Sequence, residues 1–383
     1  MSARHFAVIA VALAVGVITG CSQDVKIGAV ISKTGAAAAY GELVENGLQL
    51  ALEQINASGG INGGQVELLF RDDTTRADVG AKVAEELIQQ EGVGVIIGAL
   101  TSDVTLRVAE ICEQNGVILL SPSASADKIT HAGDYIFRNY PTDILEGTAM
   151  AEFAKDLGLE RLVIFALDNV YGAGLTRVFT DKYESKFREV VKTFLIKTES
   201  TDDIGAMIEE AKALNPDGIY LITYVDELIA LLKGIHAAGI DAVKLGTASV
   251  TPEISRRAGE AANMLVYPAP NFDVESNDPV VSEFVKTYTA KYGTKPEIYA
   301  AHGFDALMLL KHAIEEMRST HPDTLKLGLS SIKGYAGAAG RTSFDENGDV
   351  VRYPRLFVIH ESAAMPYDRF KEQGLSILRP GQG

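Results

Sequence analysis

Short apolar runs recur along the chain, bounded by glycine, proline or polar residues, and longer amphipathic stretches separate them. Val25-Lys26-Ile27-Gly28-Ala29-Val30 predicts a strand, and Gly41 to Ala57 a helix with Leu43, Leu48, Leu50, Ala51 and Ile55 inward. Gly59-Gly60-Ile61-Asn62-Gly63-Gly64 then supplies turn chemistry. Val66 to Phe70 predicts the next strand and Asp78 to Gln90 the next helix. Val95-Ile96-Ile97 and Val117-Ile118-Leu119-Leu120 are apolar without alternation, as strands buried on both faces of a parallel sheet are. The pattern restarts with strands at Arg161 to Phe165, Val190 to Leu195 and Gly218 to Ile222, and helices at Gly172 to Phe187, Ile204 to Leu214 and Glu227 to Ala238.

Repeated strand and helix alternation implies βαβ units. The fold class is therefore α/β, with two doubly wound parallel-sheet lobes. Arg138-Asn139-Tyr140-Pro141 is one expected crossing between them, because proline forces extended backbone before it. The turn-rich Pro268-Ala269-Pro270-Asn271-Phe272-Asp273 is a second, and Asp345-Glu346-Asn347-Gly348-Asp349 precedes a third. Helices at Val280 to Tyr292 and Ala300 to Met317 carry too little strand for a third domain and are expected to return to the first lobe. The division is then 22–140 plus 270–348 for the N-terminal lobe and 141–269 plus 349–383 for the C-terminal lobe, with Pro354 to Ile359 as a last strand. Several crossings make a hinge, and the cleft between the lobes can close on a ligand.

Residues 1–21 differ from the rest. A short start with Arg4 and His5 precedes an almost wholly apolar Phe6 to Ile18 and small residues at Thr19-Gly20-Cys21, the layout of a secretory signal. The run is shorter than the roughly 20 residues of a membrane span. The net charge of −16, one unit more negative without Arg4, argues against nucleic acid, which needs clustered positive charge. Of two cysteines, Cys112 lies among Val108, Ala109 and Ile111 and reads as a small buried packing residue.

Candidate chemistry gathers at two strand ends. Gly98-Ala99-Leu100-Thr101-Ser102-Asp103 and Ser121-Pro122-Ser123-Ala124-Ser125-Ala126 each offer hydroxyls and free backbone N–H groups, and both are expected to open a helix. Such a helix start favours an anion without a basic side chain. Ser102, Ser123 and Ser125 also suit ordinary helix caps. Tyr40, Tyr171, Tyr224 and Tyr299 each stand at the end of an element, where a flat face with one polar handle suits a wall around a small organic ligand. Taken singly, each also suits packing. No Walker loop, nucleophile elbow or H-E-x-x-H is present. His302 and His312 are too far apart to share a helical turn, and Asp72-Asp73 suits a turn. No catalytic residue, metal or cofactor is expected.

Val30-Ile31-Ser32-Lys33-Thr34-Gly35 with Tyr40-Gly41, Ile55-Asn56-Ala57-Ser58-Gly59-Gly60-Ile61, Arg71-Asp72-Asp73, the two serine junctions and Tyr171-Gly172-Ala173-Gly174-Leu175 occur in an order and spacing that resembles the periplasmic leucine/isoleucine/valine-binding protein family. The likeness runs from about Val25 to Val358. It implies a type I periplasmic-binding fold, a carboxylate held by Ser102, Ser123 and Ser125, and Tyr40, Tyr171, Tyr224 and Tyr299 lining the cleft. The family's disulfide falls at Thr75 and Thr101 and is absent. The acid that receives the ligand's ammonium falls at Ala248, which cannot pair a cation; Asp226 is the nearest substitute, with helix capping as its other reading. Ile18-Thr19-Gly20-Cys21 resembles a bacterial lipobox, which implies lipidation at Cys21.

The implied function is capture of an amino acid, branched-chain or similarly small and hydrophobic, by an extracytoplasmic lipoprotein. Its partners would be the small-molecule ligand, an ABC permease and the membrane through its lipid, with the protein itself monomeric. The Ala248 departure keeps open a receptor for a carboxylate or amide without an amine. The same architecture also admits a sensory ligand-binding protein or an enzyme.

Overall fold

The computed structural model describes residues 23–377; the leader and Cys21 lie outside them. The first sheet is made of β1 (Val25–Ile31), β2 (Val66–Asp72), β3 (Val95–Ile97), β4 (Ile118–Ser121) and β5 (Ile136–Arg138). Their order is β2-β1-β3-β4-β5, and every pair is parallel. Parallel neighbours need crossovers, here α1 (Ala38–Ala57), α2 (Ala77–Gln89) and α3 (Ser102–Asn115). Helices cover both faces, so Ile27, Ala29, Val30 and Ile31 of β1 are all buried.

The chain then enters α4 (Asp143–Asp156), β6 (Arg161–Leu167), α5 (Val170–Tyr183), β7 (Glu189–Ile196), α6 (Ile204–Ala213), β8 (Gly218–Ile222), α7 (Val225–Ala238), β9 (Val243–Leu245), α8 (Pro252–Ala258) and β10 (Leu265–Pro270). After α9 (Pro279–Tyr292), α10 (Ile298–Met317), α11 (Pro322–Ser331) and the hairpin β11 (Tyr335–Gly337) with β12 (Gly340–Thr342), it ends in β13 (Pro354–His360), β14 (Ala363–Pro366) and α12 (Tyr367–Glu372). The second sheet has the order β14-β13-β10-β9-β8-β6-β7, with β13 and β14 antiparallel at one edge.

Helix α10 packs along α1. The contact is close because two glycines meet it: a Cβ on Gly47 would lie 2.0 Å from the Ala300 carbonyl oxygen, and one on Gly303 2.5 Å from that of Val44. No larger side chain fits at either place.

Three local expectations are corrected. Ser121 to Ala126 does not open an α-helix; a single 3₁₀ turn, Asp127–His131, follows, and Pro122 and Gly133 bracket a segment that turns straight back into β5. The proline-rich stretch from Pro268 begins as strand, since β10 pairs with β13 from Val266 to Pro270. Its pairing with β9 ends at Val266, so on that side the missing N–H groups of Pro268 and Pro270 cost little. Helix α5 stops at Tyr183, with Ser185 to Arg188 forming a turn bridge.

The crossings are tied to one another. Arg138 is fully buried at the end of β5, and its guanidinium is bidentate on Asp349, with Nη2 2.8 Å from Oδ2. The same side chain donates to the Ala126 carbonyl and to Thr130. Asn139 donates to the His302 carbonyl at 2.9 Å, and Arg352 to the carbonyls of Ala339 and Arg341.

Candidate functional site

In each sheet the strand order reverses at one place, between β1 and β3 in the first and between β6 and β8 in the second. Ligands of doubly wound folds sit beyond the carboxyl ends of strands at such reversals. The loops leaving these four strands, with the loop after β4, face one another across a cavity. About 40 Å³ of it is open to the centre of a water-sized molecule, where a single water needs roughly 10–15 Å³. The lobes are therefore drawn tightly together.

The first lobe supplies hydroxyls. Gly98 turns the chain out of β3 with φ of +135°, and a Cβ there would stand 2.2 Å from the Val30 carbonyl oxygen. Helix α3 follows with Thr101 at its N-cap and no side-chain capping bond, so its first N–H groups stay available. Ser102 is not the cap. Its Oγ accepts the Ala126 N–H at 3.2 Å, while Ser121 Oγ donates to the Ala99 carbonyl at 2.7 Å and accepts the Ala124 N–H at 3.1 Å. These bonds brace the two junctions into one surface on which Ser102, Ser123 and Ser125 all line the cavity. Only the first junction brings a helix end to it.

Aromatic rings form the wall. Tyr40 and Tyr171 hold equivalent places, each in the first turn of a helix and each followed by glycine. A Cβ on Gly41 would lie 1.9 Å from the Ser32 carbonyl oxygen, and one on Gly172 2.0 Å from that of Leu167. The missing side chain lets each helix approach its preceding loop closely, and this sets the tyrosine at the cleft. Tyr140 stacks on Tyr299 at 5.7 Å, Tyr299 meets Tyr40 at 5.0 Å, and Tyr40 reaches Tyr224 of the second lobe edge-on at 6.1 Å. Tyr171 stacks on Tyr224 at 5.8 Å. Burial pushes the phenols of Tyr40, Tyr140, Tyr171, Tyr224 and Tyr299 up, so all are neutral hydrogen-bonding groups.

The two lobes are joined by hydrogen bonds across the cleft. Tyr40 and Tyr299 donate to the carbonyls of Ser249 and Ala248, both at 3.0 Å. Asp103 in the first turn of α3 accepts the Val170 N–H at 3.1 Å, and Arg177 pairs with Asp127.

Ala248 lines the cavity, but Asp226 does not. Asp226 lies in the first turn of α7, whose N-cap is Tyr224; it is largely exposed and pairs with Arg257 at 2.6 Å. It faces a separate surface groove between Gly35 and Arg257, so its expected place opposite the ligand is corrected. The acid that does reach the cleft is Glu146, in the first turn of α4. It is 7% exposed and accepts the Ala248 N–H at 3.1 Å. Burial, and then the neighbouring Asp143, hold its carboxyl well above the usual range. Asp143 is fully buried; burial pushes it up to about 7, and the nearby Ser125 and Arg138 only partly offset this.

Glu146, Tyr140 and Ser249 enter the site without having been read from the sequence as cleft residues. The available signal for Glu146 was an acid at a helix start directly after the expected crossing, on the face shared with Gly147, Met150 and Ala154. Elsewhere, Asp72 accepts the N–H groups of Lys33 and Thr74 and the Thr34 hydroxyl, a turn-holding role. His302 is buried with its imidazole held neutral, and Cys112 is buried with its thiol pushed up. Among the described residues no group of three or more His, Cys, Asp or Glu could hold a metal, and no helix is long and apolar enough to cross a membrane.

Two doubly wound lobes closing on a hydroxyl and aromatic cleft define a bilobal ligand-binding protein. The profile of the periplasmic binding protein family matches residues 24–363, and the chain belongs to that family, whose members bind solutes and are not enzymes. It is 26% identical over 343 residues to the leucine-, isoleucine-, valine-, threonine- and alanine-binding protein of Pseudomonas aeruginosa, covering 89% of this chain and 90% of the relative. The leucine-binding protein LivK of Thermotoga maritima superposes with a TM-score of 0.83 at 29% identity, covering 89% of this chain and 97% of that one. The branched-chain amino acid transporter substrate-binding protein LivJ of Streptococcus pneumoniae, solved with isoleucine, gives 0.82 at 26% identity, covering 89% and 98%.

Proposed function

We propose that this protein is the extracytoplasmic receptor of an ABC importer and captures a small hydrophobic amino acid between its lobes. The observation that carries this reading is the cleft itself. Ser102, Ser123 and Ser125 stand with the uncapped start of α3 on one side, tyrosines close the other, and no lysine or arginine is among the described lining residues. A carboxylate is held there by hydroxyls and N–H groups, and an aliphatic side chain lies against rings. The similarity to leucine- and branched-chain-binding relatives supports the same class. Ligand enters when the lobes part, and its preference for the closed form sets how far the equilibrium moves.

A second reading, a carboxylate without an amine, is favoured by Ala248 and by the outward position of Asp226. Melting the protein against a panel of amino acids and organic acids tests both. A member that binds the native state raises the melting temperature by mass action; a panel that moves it nowhere overturns the ligand class. Anchoring through lipidated Cys21 belongs to the same proposal, and Cys21→Ala is expected to release the protein from membrane fractions.

A further inference from the structure

We propose that Glu146 is the cation receptor of the cleft: its carboxyl takes the ammonium of an α-amino ligand whose carboxylate rests on Ser102, Ser123 and Ser125. The proposal rests on the amino-acid reading above and commits it to a ligand carrying both charges.

The geometry points there from both sides. The Asp143 N–H donates to the Ser125 carbonyl at 2.8 Å, pinning the start of α4 against the serine loop. Glu146 lies three residues on, on the same helical face, and so beside the carboxylate site. From the opposite direction, the Ala248 N–H engages one Glu146 oxygen. The chain thus brings a carboxyl from α4 to the neutral position 248. Glu146 is the one acid among the described lining residues, and no basic side chain there opposes it. One further group on the cavity awaits a partner: Thr101 Oγ1 is buried without a hydrogen bond.

A buried carboxylate with no counter-charge is costly, and the group keeps a proton instead. Asp143 from its own helix, Tyr140, Tyr171, Tyr220 and Tyr299 face Glu146, and none is a cation. The nearby Arg138 acts on Asp143 and is engaged by Asp349. Before ligand binds, the Asp143–Glu146 pair therefore shares a proton that an ammonium displaces. The ligand's charge lowers the pair's proton affinity, so binding expels a proton and tightens as pH rises toward the pair's raised titration range, by at most about ten-fold per unit. A ligand bearing only a carboxylate raises the proton affinity, and its binding weakens over the same range.

The test is titration calorimetry of the intact protein with L-alanine, L-leucine and L-phenylalanine, each beside its deaminated counterpart, at several pH values and with Glu146→Gln. Glutamine keeps an oxygen for the Ala248 N–H and removes the charge. The expected result is amino-acid affinity that rises with pH in the wild type and falls by about 100-fold or more in Glu146→Gln, with any deaminated analogue little affected. Wild-type amino-acid binding that Glu146→Gln leaves unchanged overturns the role of Glu146 and leaves the amino-acid reading standing. Binding of deaminated acids alone, weakening with pH, overturns both. The wild-type pH slope needs no variant, so a Glu146→Gln protein that fails to melt cooperatively does not remove the test.

Discussion

At the scale of single residues, the cleft separates chemistry that sequence shows from chemistry that only packing creates. Ser102, Ser123, Ser125 and the tyrosines were legible because each follows an apolar strand or opens a helix, and parallel sheets gather such positions at one end. Glu146 was not. Its depth follows from α4 lying close on α5, where a Cβ on Gly147 would come 2.8 Å from Val178 Cγ1, a contact between segments distant in sequence. Ala248 and Asp226 misled in a complementary way, since nearness along the chain put Asp226 beside Tyr224 but helix geometry turned it outward. Ser102→Ala and Ser125→Ala each remove a hydroxyl expected to serve the ligand's carboxylate. A hydrogen bond to a charged group contributes about 1.5–3 kcal/mol. Calorimetry should show affinity falling by roughly 10- to 100-fold, with an earlier melt for Ser102→Ala, which also leaves the Ala126 N–H without its acceptor, and unchanged affinity would remove these serines from the carboxylate site.

Among the elements, the longer apolar strands were read closely, whereas β5, β9, β10 and the short edge strands β11, β12 and β14 were not, and helix starts were read less well. Residues 27–31 form an unbroken buried run that admits one interpretation, whereas Thr142 to Gly147 mixes polar and apolar residues and hides α4. The helix expected after Ser125 failed because the return to β5 leaves room only for a 3₁₀ turn. Glycines carry the information here. Gly41→Ala places a methyl group against the Ser32 carbonyl and must push α1 away from its loop, displacing Tyr40. Overpacking of this kind costs about 1–3 kcal/mol. The variant should melt earlier and bind more weakly, and recovery of affinity at low temperature without recovery of stability would separate the two effects. Gly303→Val tests α10 against α1 alone, with lower stability expected and ligand affinity altered less than in Gly41→Ala.

For the whole molecule, buried acids set the pH response. Asp305 is pushed up to about 7 by burial, against two N–H bonds from Ala338 and Ala339 and the charge of Arg352, and Asp73 to about 6. The folded state then holds more protons than the unfolded chain between about pH 4 and 7, so stability falls as pH rises through that window and levels above it. Denaturant unfolding across the range should show the decline, and Asp305→Asn should flatten it. Arg138 and Asp349 form a buried pair whose separation costs about 3–5 kcal/mol when one partner is lost. Arg138→Met alone should unfold early in denaturant, and Arg138→Met with Asp349→Leu should recover much of the loss.

Under the proposed closure of the two lobes, that pair also limits where the molecule can bend. Arg138 is bonded to Asp349, Ala126 and Thr130, Asn139 to the His302 carbonyl of α10, and Arg352 to Ala339 and Arg341 at the β11–β12 hairpin, so two of the crossing strands are clamped up to those residues. The short lengths left to them are Pro141 to Thr142 and the exposed Tyr353. Opening about this axis must break the Asp143–Ser125 bond, and it then carries α4, and Glu146 with it, away from the serines. Under the proposed assignment, a molecule with a single charge satisfies one jaw and leaves the other loose, whereas a zwitterion acts as a strut between them. Closure then reports the coincidence of two opposite charges at a fixed spacing, and discrimination arises from the motion as much as from the shape of the pocket.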